Sequence, residues 1–164
     1  YVEDIIRKEE PFSEWQIRNI HQLILKNIDD DNAGRYRQQN VLISGATSTP
    51  PDYTLLNDKM AQFVDWYNSE AHKLHPIERA AKVHADFVGI HPFIDGNGRT
   101  SRLLMNLELL KAGYPPCVIT VESRLAYYEA LDQWMAYGKT EAFIQLVSDA
   151  VLEGFKPYQV VLGI

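Results

Sequence analysis

Between Pro76 and Gly113 the chain carries two apolar helical patterns separated by a short glycine-flanked turn. Pro76 is a good first helical residue, and Ile77, Ala80, Ala81, His84, Phe87 and Val88 follow on one face that reaches His91. After the turn, Leu103, Leu104, Met105, Leu107, Leu109 and Leu110 form a second helix that stops at Gly113, a natural position just past a helix end. Other helix signals follow one another with few gaps. Ser13 and Gln16 make a capping box, then Ile17, Ile20, Ile24 and Ile28 keep helical spacing until Asp29, Asp30, Asp31, Asn32 and Gly34 break it. Leu56, Met60, Phe63, Val64 and Tyr67 predict a helix from about Leu55 to Tyr67, and two more are expected over Arg124 to Tyr137 and Thr140 to Glu153. The pattern predicts an all-α bundle. Tyr36 to Pro51 is the exception: Val41, Leu42 and Ile43 are β-prone and Ser44, Gly45, Ala46 and Thr47 look like a turn, which reads as a short β-hairpin or flap.

The segment from His91 to Arg102, HPFIDGNGRTSR, holds the chemistry. Gly96, Asn97 and Gly98 permit backbone conformations closed to most side chains, so successive N–H groups can point into one concavity. At a helix N-terminus those groups and the macrodipole both favour an anion, most often phosphate. Arg99 and Arg102, three apart, add planar donor forks. Asp95 would repel a bare triphosphate but becomes useful if it holds Mg²⁺, which prefers one or two carboxylates together with phosphate oxygens. His91 is the nearby group whose ordinary pKa of about 6.5 suits proton abstraction near neutrality. Phe93 reads as an apolar anchor for the loop.

With 164 residues, the chain is expected to form one domain. A net charge of −6 disfavours general binding to nucleic acid or to a membrane surface, so any phosphate site must be positive only locally. The single cysteine, Cys117, precludes an internal disulfide, fits a reducing, cytoplasmic compartment, and reads as a packed hydrophobe. No apolar run reaches membrane-spanning length, and no signal peptide is recognised. Helix pattern already at Tyr1 and an apolar C-terminal stretch suggest a core fragment of something longer. His84 and His91, with Asp86 and His75, raise a metal-hydrolase alternative, but no H-E-x-x-H or H-D pair is present and His84 reads as a buried packing histidine.

His91, Phe93, Asp95, Gly96, Asn97, Gly98, Arg99 and Arg102 match every defined position of H-x-F-x-[D/E]-G-N-G-R-x-x-R, the signature of the Fic domain family. The resemblance extends outward through Gly34-Arg35-Tyr36-Arg37, Val41-Leu42-Ile43, Pro50-Pro51, His75-Pro76 and Tyr127-Tyr128, and so covers nearly the whole chain. It implies a Fic-type helical bundle over residues 1–164 that moves AMP from ATP to a Ser, Thr or Tyr hydroxyl of a target protein and releases pyrophosphate. It further implies His91 as base, Asp95 as the Mg²⁺ ligand, and ATP phosphates on Gly96, Asn97, Gly98, Arg99 and Arg102. Ile43, Ser44 and Gly45 on the flap, with Tyr127 and Tyr128 opposite, resemble positions that sandwich adenine and ribose. The flap would pair with an extended stretch of the target.

Self-modification and homodimers are further implications, as is removal of AMP by a regulated longer form. Two other readings stand beside transfer of AMP: a catalytically silent module that senses nucleotide or binds protein, and transfer of a different phosphate-containing group. Many Fic proteins also carry an inhibitory helix, [S/T]-x-x-x-E-[G/N], whose glutamate pairs with the arginine equivalent to Arg102. Only Asp149-x-x-x-Glu153-Gly154 approaches it here, and that stretch reads as an ordinary helix end with a glycine cap.

Overall fold

The computed structural model describes residues 12–163, so the reading of a helix under way at Tyr1 falls outside them. Helix α1, Glu14–Leu25, opens at Ser13 with the predicted reciprocal capping box to Gln16. It ends sooner than the isoleucine spacing suggests: Asn27 turns left-handed at φ 63, and Ile28 is left exposed in the turn that follows. A single 3₁₀ turn, Tyr53–Leu55, leads into α2, Leu56–Ser69, whose buried side is Leu56, Met60 and Phe63. Next come α3, Pro76–Ile90, and α4, Asn97–Lys111, with Pro76 at the first turn of α3 and left-handed Gly113 just beyond the end of α4. Helices α5, Arg124–Tyr137, and α6, Glu141–Leu162, complete the order.

Helix α3 is the centre of the bundle and makes its largest interface with α4. Ala80, Ala81, Ala85 and Val88 pack with Met105, Leu109, Tyr127, Leu131, Trp134 and Phe143 on one side. Val83 and Phe87 pack with Ile17, Ile20, Met60, Phe63, Phe93 and Leu104 on the other. A helix buried on nearly all sides is held by the whole core. Its last residue therefore has little freedom, and that residue precedes His91.

Two expectations are corrected. No strand forms among the described residues, so residues 36–51 are not a β-hairpin: the flap is irregular, with one turn in which the Ala46 N–H donates to the Ile43 carbonyl at 3.1 Å. Pro50 and Pro51 remove consecutive donors from what would be the returning strand, and a lone two-stranded hairpin is marginal in water. Likewise Glu153-Gly154 does not end a helix, since α6 runs on to Leu162. A Cβ on Gly154 would stand 3.1 Å from Pro115 Cβ and Cγ, so this glycine admits the neighbouring chain rather than capping the helix. No helix among the described residues is long and apolar enough to cross a membrane.

Candidate active site

His91 caps α3 in a left-handed conformation, φ 50 and ψ 57, which turns the chain sharply towards the start of α4. Its Nδ1 faces the Val88 carbonyl at 3.2 Å, leaving Nε2 directed away from that contact. Burial lowers its pKa, a tendency opposed by the Val88 carbonyl and reinforced by the nearby Arg37 charge, so the imidazole is neutral at pH 7. A neutral ring with a free nitrogen can accept a proton.

The turn is built from inside. Phe93, fully buried, stacks on the His21 ring at 3.5 Å between centroids and 6° between planes. Asn97 closes the loop with its carboxamide: Oδ1 accepts from the Phe93 N–H at 3.0 Å, and Nδ2 donates to the Phe93 carbonyl at 2.8 Å. That side chain is buried and spoken for, so Asn97 offers the cavity only its backbone. Gly96 carries the one left-handed conformation of the turn, φ 80, and is the N-cap of α4 without any side-chain cap. Gly98 lies inside the helix rather than in a special conformation. The first intrahelical donor is the Thr100 N–H to the Gly96 carbonyl, which leaves the N–H groups of Asn97, Gly98 and Arg99 open at the positive end of the helix.

Around this opening lies a cavity of ≈ 520 Å³, within the range of small-molecule sites. His91, Asp95, Gly96, Asn97, Gly98, Arg99, Arg102, Ile43, Ser44, Gly45, Tyr127 and Tyr128 all line it, whereas Phe93 and His84 are buried outside it and His75 and Asp86 do not reach it. Asp95 pairs with Arg99 Nη2 at 2.8 Å and accepts the Gly96 N–H on its other oxygen. The Arg102 fork lies over the first turn, 3.5 Å from where a Cβ on Gly98 would be. It makes no ion pair with another described residue. Tyr127 is buried with its hydroxyl 2.9 Å from His84 Nε2, whereas Tyr128 is half exposed at the mouth. No group of three or more His, Cys, Asp or Glu among the described residues could hold a metal by itself.

Three residues had no role in the sequence reading. His21 is completely buried beneath Gly96; its only sequence signal is its place among Ile17, Ile20 and Ile24 on the buried face of α1. Arg37 is buried behind His91. Asp132, also lining the cavity, accepts from the Thr47 N–H at 2.6 Å and the Thr47 hydroxyl at 2.7 Å, tying the flap to α5. No local pattern marks the last contact, which spans 85 residues.

The site thus joins an uncapped helix N-terminus at the mouth of the central helix pair to a neutral histidine in one cavity of an all-helical domain. The chain belongs to the Fic/DOC family, whose model matches residues 11–109. It is 42% identical over 134 residues to protein adenylyltransferase Fic of Drosophila willistoni, covering 81% of this chain and 26% of that protein. With the Nematostella vectensis protein of the same name it shares 43% identity over 145 residues, 88% of this chain and 33% of the relative. Among solved structures, Fic-1 (aa134–508) from C. elegans superposes with a TM-score of 0.82 at 35% identity, covering 93% of this chain and 44% of that one. A Fic domain containing signaling protein from Bacteroides thetaiotaomicron gives 0.82 at 31% identity, covering 93% and 65%. The chain thus spans about a quarter to a third of the length of the curated relatives it matches.

Proposed function

We propose that this chain, read as one domain, transfers AMP from ATP to a hydroxyl of a target protein. The observation that carries this is the juxtaposition of a neutral, helix-held His91 with the uncapped N-terminus of α4 in one nucleotide-sized cavity. Relatives at 42–43% identity are named protein adenylyltransferases, which supports the same reading.

The β- and γ-phosphates bind on the open N–H groups of Asn97, Gly98 and Arg99, with the Arg102 fork on outer oxygens. Asp95 is suited to Mg²⁺: it is an exposed single carboxylate beside the phosphate turn, and a metal held there would offset the charge of the bound phosphates. Nucleotide binding then draws Arg99 away from Asp95. Ile43, Ser44, Gly45 and Tyr128 cover the adenosine, with Tyr127 as the wall behind. An extended target segment lies along the flap, where Val41 and Leu42 make no backbone ladder.

His91 Nε2 takes the proton of the target hydroxyl. The oxygen forms a bond to the α-phosphorus, the bond from that phosphorus to the α,β-bridging oxygen breaks, and pyrophosphate leaves. Positioning and charge stabilisation dominate, with the base contributing about 10²–10⁴-fold. The lone cysteine, buried and with its thiol pushed up to about 11, plays no part in this chemistry and fits a cytoplasmic setting. Homodimer formation follows only from family likeness.

Incubating the protein with Mg²⁺, cell lysate and ATP labelled on either the α- or the γ-phosphate tests the reading. Above the label that lysate alone acquires, added protein is expected to raise protein-bound label from the α position only. Label from the γ position would instead identify phosphate transfer, and none from either would favour a binding module.

A further inference from the structure

The Arg37 guanidinium spends its donors in an unusual way. Nε–H donates to the His91 carbonyl at 2.9 Å, Nη1 to the Gln39 carbonyl at 2.8 Å and Nη2 to the Pro51 carbonyl at 2.6 Å. Its own backbone N–H donates to the Pro92 carbonyl at 2.9 Å. Gln39 and Pro51 bracket the part of the flap that carries Ile43 to Gly45, and His91 and Pro92 begin the motif loop. Hence one planar group joins both sides of that part of the flap to the residue that removes the proton.

We propose that Arg37 is a positioning residue that fixes the flap relative to His91, so that a target segment lying on the flap presents its hydroxyl to the base in constant register. The inference rests on the transfer reading above. Arg37 is buried to 3% exposure, and every hydrogen-bond acceptor of its side chain is a main-chain carbonyl. A buried cation without a hydrogen-bonded carboxylate is costly, and a plain structural plug would not need one. The arginine fork holds its donors in a rigid plane, whereas lysine presents a single point. The flap needs such a brace because no strand ladder supports it, and its tip is tied by the exposed Thr47–Asp132 contact. His91 needs one too. A left-handed non-glycine residue persists only where its surroundings over-determine it, and here the determinants are the His91 N–H to the Phe87 carbonyl and the Arg37 bond to its own carbonyl.

Arg37→Lys and Arg37→Gln, compared with the native protein, separate this role from simple packing. Each is assayed for Mg·ATP affinity, for AMP-transfer kcat and KM towards the target, and for backbone NMR order parameters. Nucleotide affinity is expected to fall by no more than about threefold, because the open N–H groups of α4 and Arg102 still hold the phosphates, while kcat/KM for the target falls by about 10–100-fold, since small misplacements of reacting groups cost that much. Order parameters should fall together at Ile43 to Gly45 and at Gly89 to His91. Full transfer restored by lysine, an equal loss of nucleotide binding and transfer, or a flap that loosens while His91 stays fixed would each overturn the proposal. If the native protein transfers no AMP, the proposed function fails, and the paired loss of order alone decides the role of Arg37. Should neither variant fold, rotation of the Arg37 Nη groups in the native protein decides: hindered rotation supports the brace, and free rotation refutes it.

Discussion

His21 donates its Nε2–H to the main-chain carbonyl of Asp95 at 2.9 Å, and the tautomer is fixed because Nδ1 accepts the Gly34 N–H at 2.8 Å. An amide can only donate, so the other ring nitrogen must carry the proton. A side chain from α1 thereby supports the phosphate turn from below, seventy-four residues away in sequence.

Gly96→Ala attacks that support directly. The new Cβ would stand 2.9 Å from His21 Nε2 and 3.2 Å from Cδ2, at a backbone φ of 80 that alanine resists. Urea denaturation is expected to show a loss of about 1–3 kcal/mol, with weaker Mg·ATP binding. Unchanged stability and affinity would show that the turn has slack there.

Acid should weaken the fold through buried neutral histidines. Burial lowers the pKa of His21 and His91 and pushes that of His84 down to about 3. The unfolded chain therefore binds more protons than the folded one once the pH drops below the ordinary histidine value of about 6.5, and stability falls with pH across that window. The His84 contribution approaches about 1.4 kcal/mol per pH unit and continues down to about pH 3. Denaturation midpoints at pH 7, 6 and 5 check this, and His84→Gln should flatten the slope.

Asp95→Asn separates metal chemistry from stability. The Asp95–Arg99 pair is solvent-exposed, with 64% and 40% of each side chain accessible, so its loss is expected to change stability by no more than about 0.5 kcal/mol. Calorimetric ATP binding with and without Mg²⁺ should lose its metal dependence in the variant. Persistent metal dependence would remove Asp95 from that role.

Glu108, by contrast, anchors α4 from within. It is 3% exposed and receives Arg79 Nε at 2.9 Å together with the Tyr67 hydroxyl. Burial and the adjacent Glu108 carboxylate raise the Tyr67 pKa, so the phenol remains a donor at all ordinary pH. Arg79→Ala would leave the buried carboxylate with the Tyr67 hydroxyl and the Lys111 ammonium, 3.5 Å away, and is expected to cost about 1–3 kcal/mol, as read by urea denaturation.

The helices were legible because their signals are local: the Ser13–Gln16 box, Pro76 at a first turn and Gly113 past an end each act within a few residues. His91, Asp95 and the residues from Gly96 to Arg102 were legible for the same reason, since the motif packs its chemistry into one turn, whereas Ile43, Ser44, Gly45, Tyr127 and Tyr128 came only from the family resemblance. Long-range partners leave no such trace. Neither the His21–Asp95 bond nor the Thr47–Asp132 contact follows from residue spacing, and Arg37 gave no hint that its donors would go to carbonyls. Gly154 misled because a glycine admits a close neighbour as readily as it ends a helix. The flap misled because β-prone residues pair only when both strands can donate, and Pro50 and Pro51 cannot.

Proton removal by His91 is tested most directly by His91→Ala, assayed for Mg·ATP affinity and for transfer of α-labelled AMP to protein. Retained affinity with transfer reduced by at least about 10²-fold is the predicted result. Transfer at the native rate in the variant would contradict the account, because the proton would then be leaving by another route.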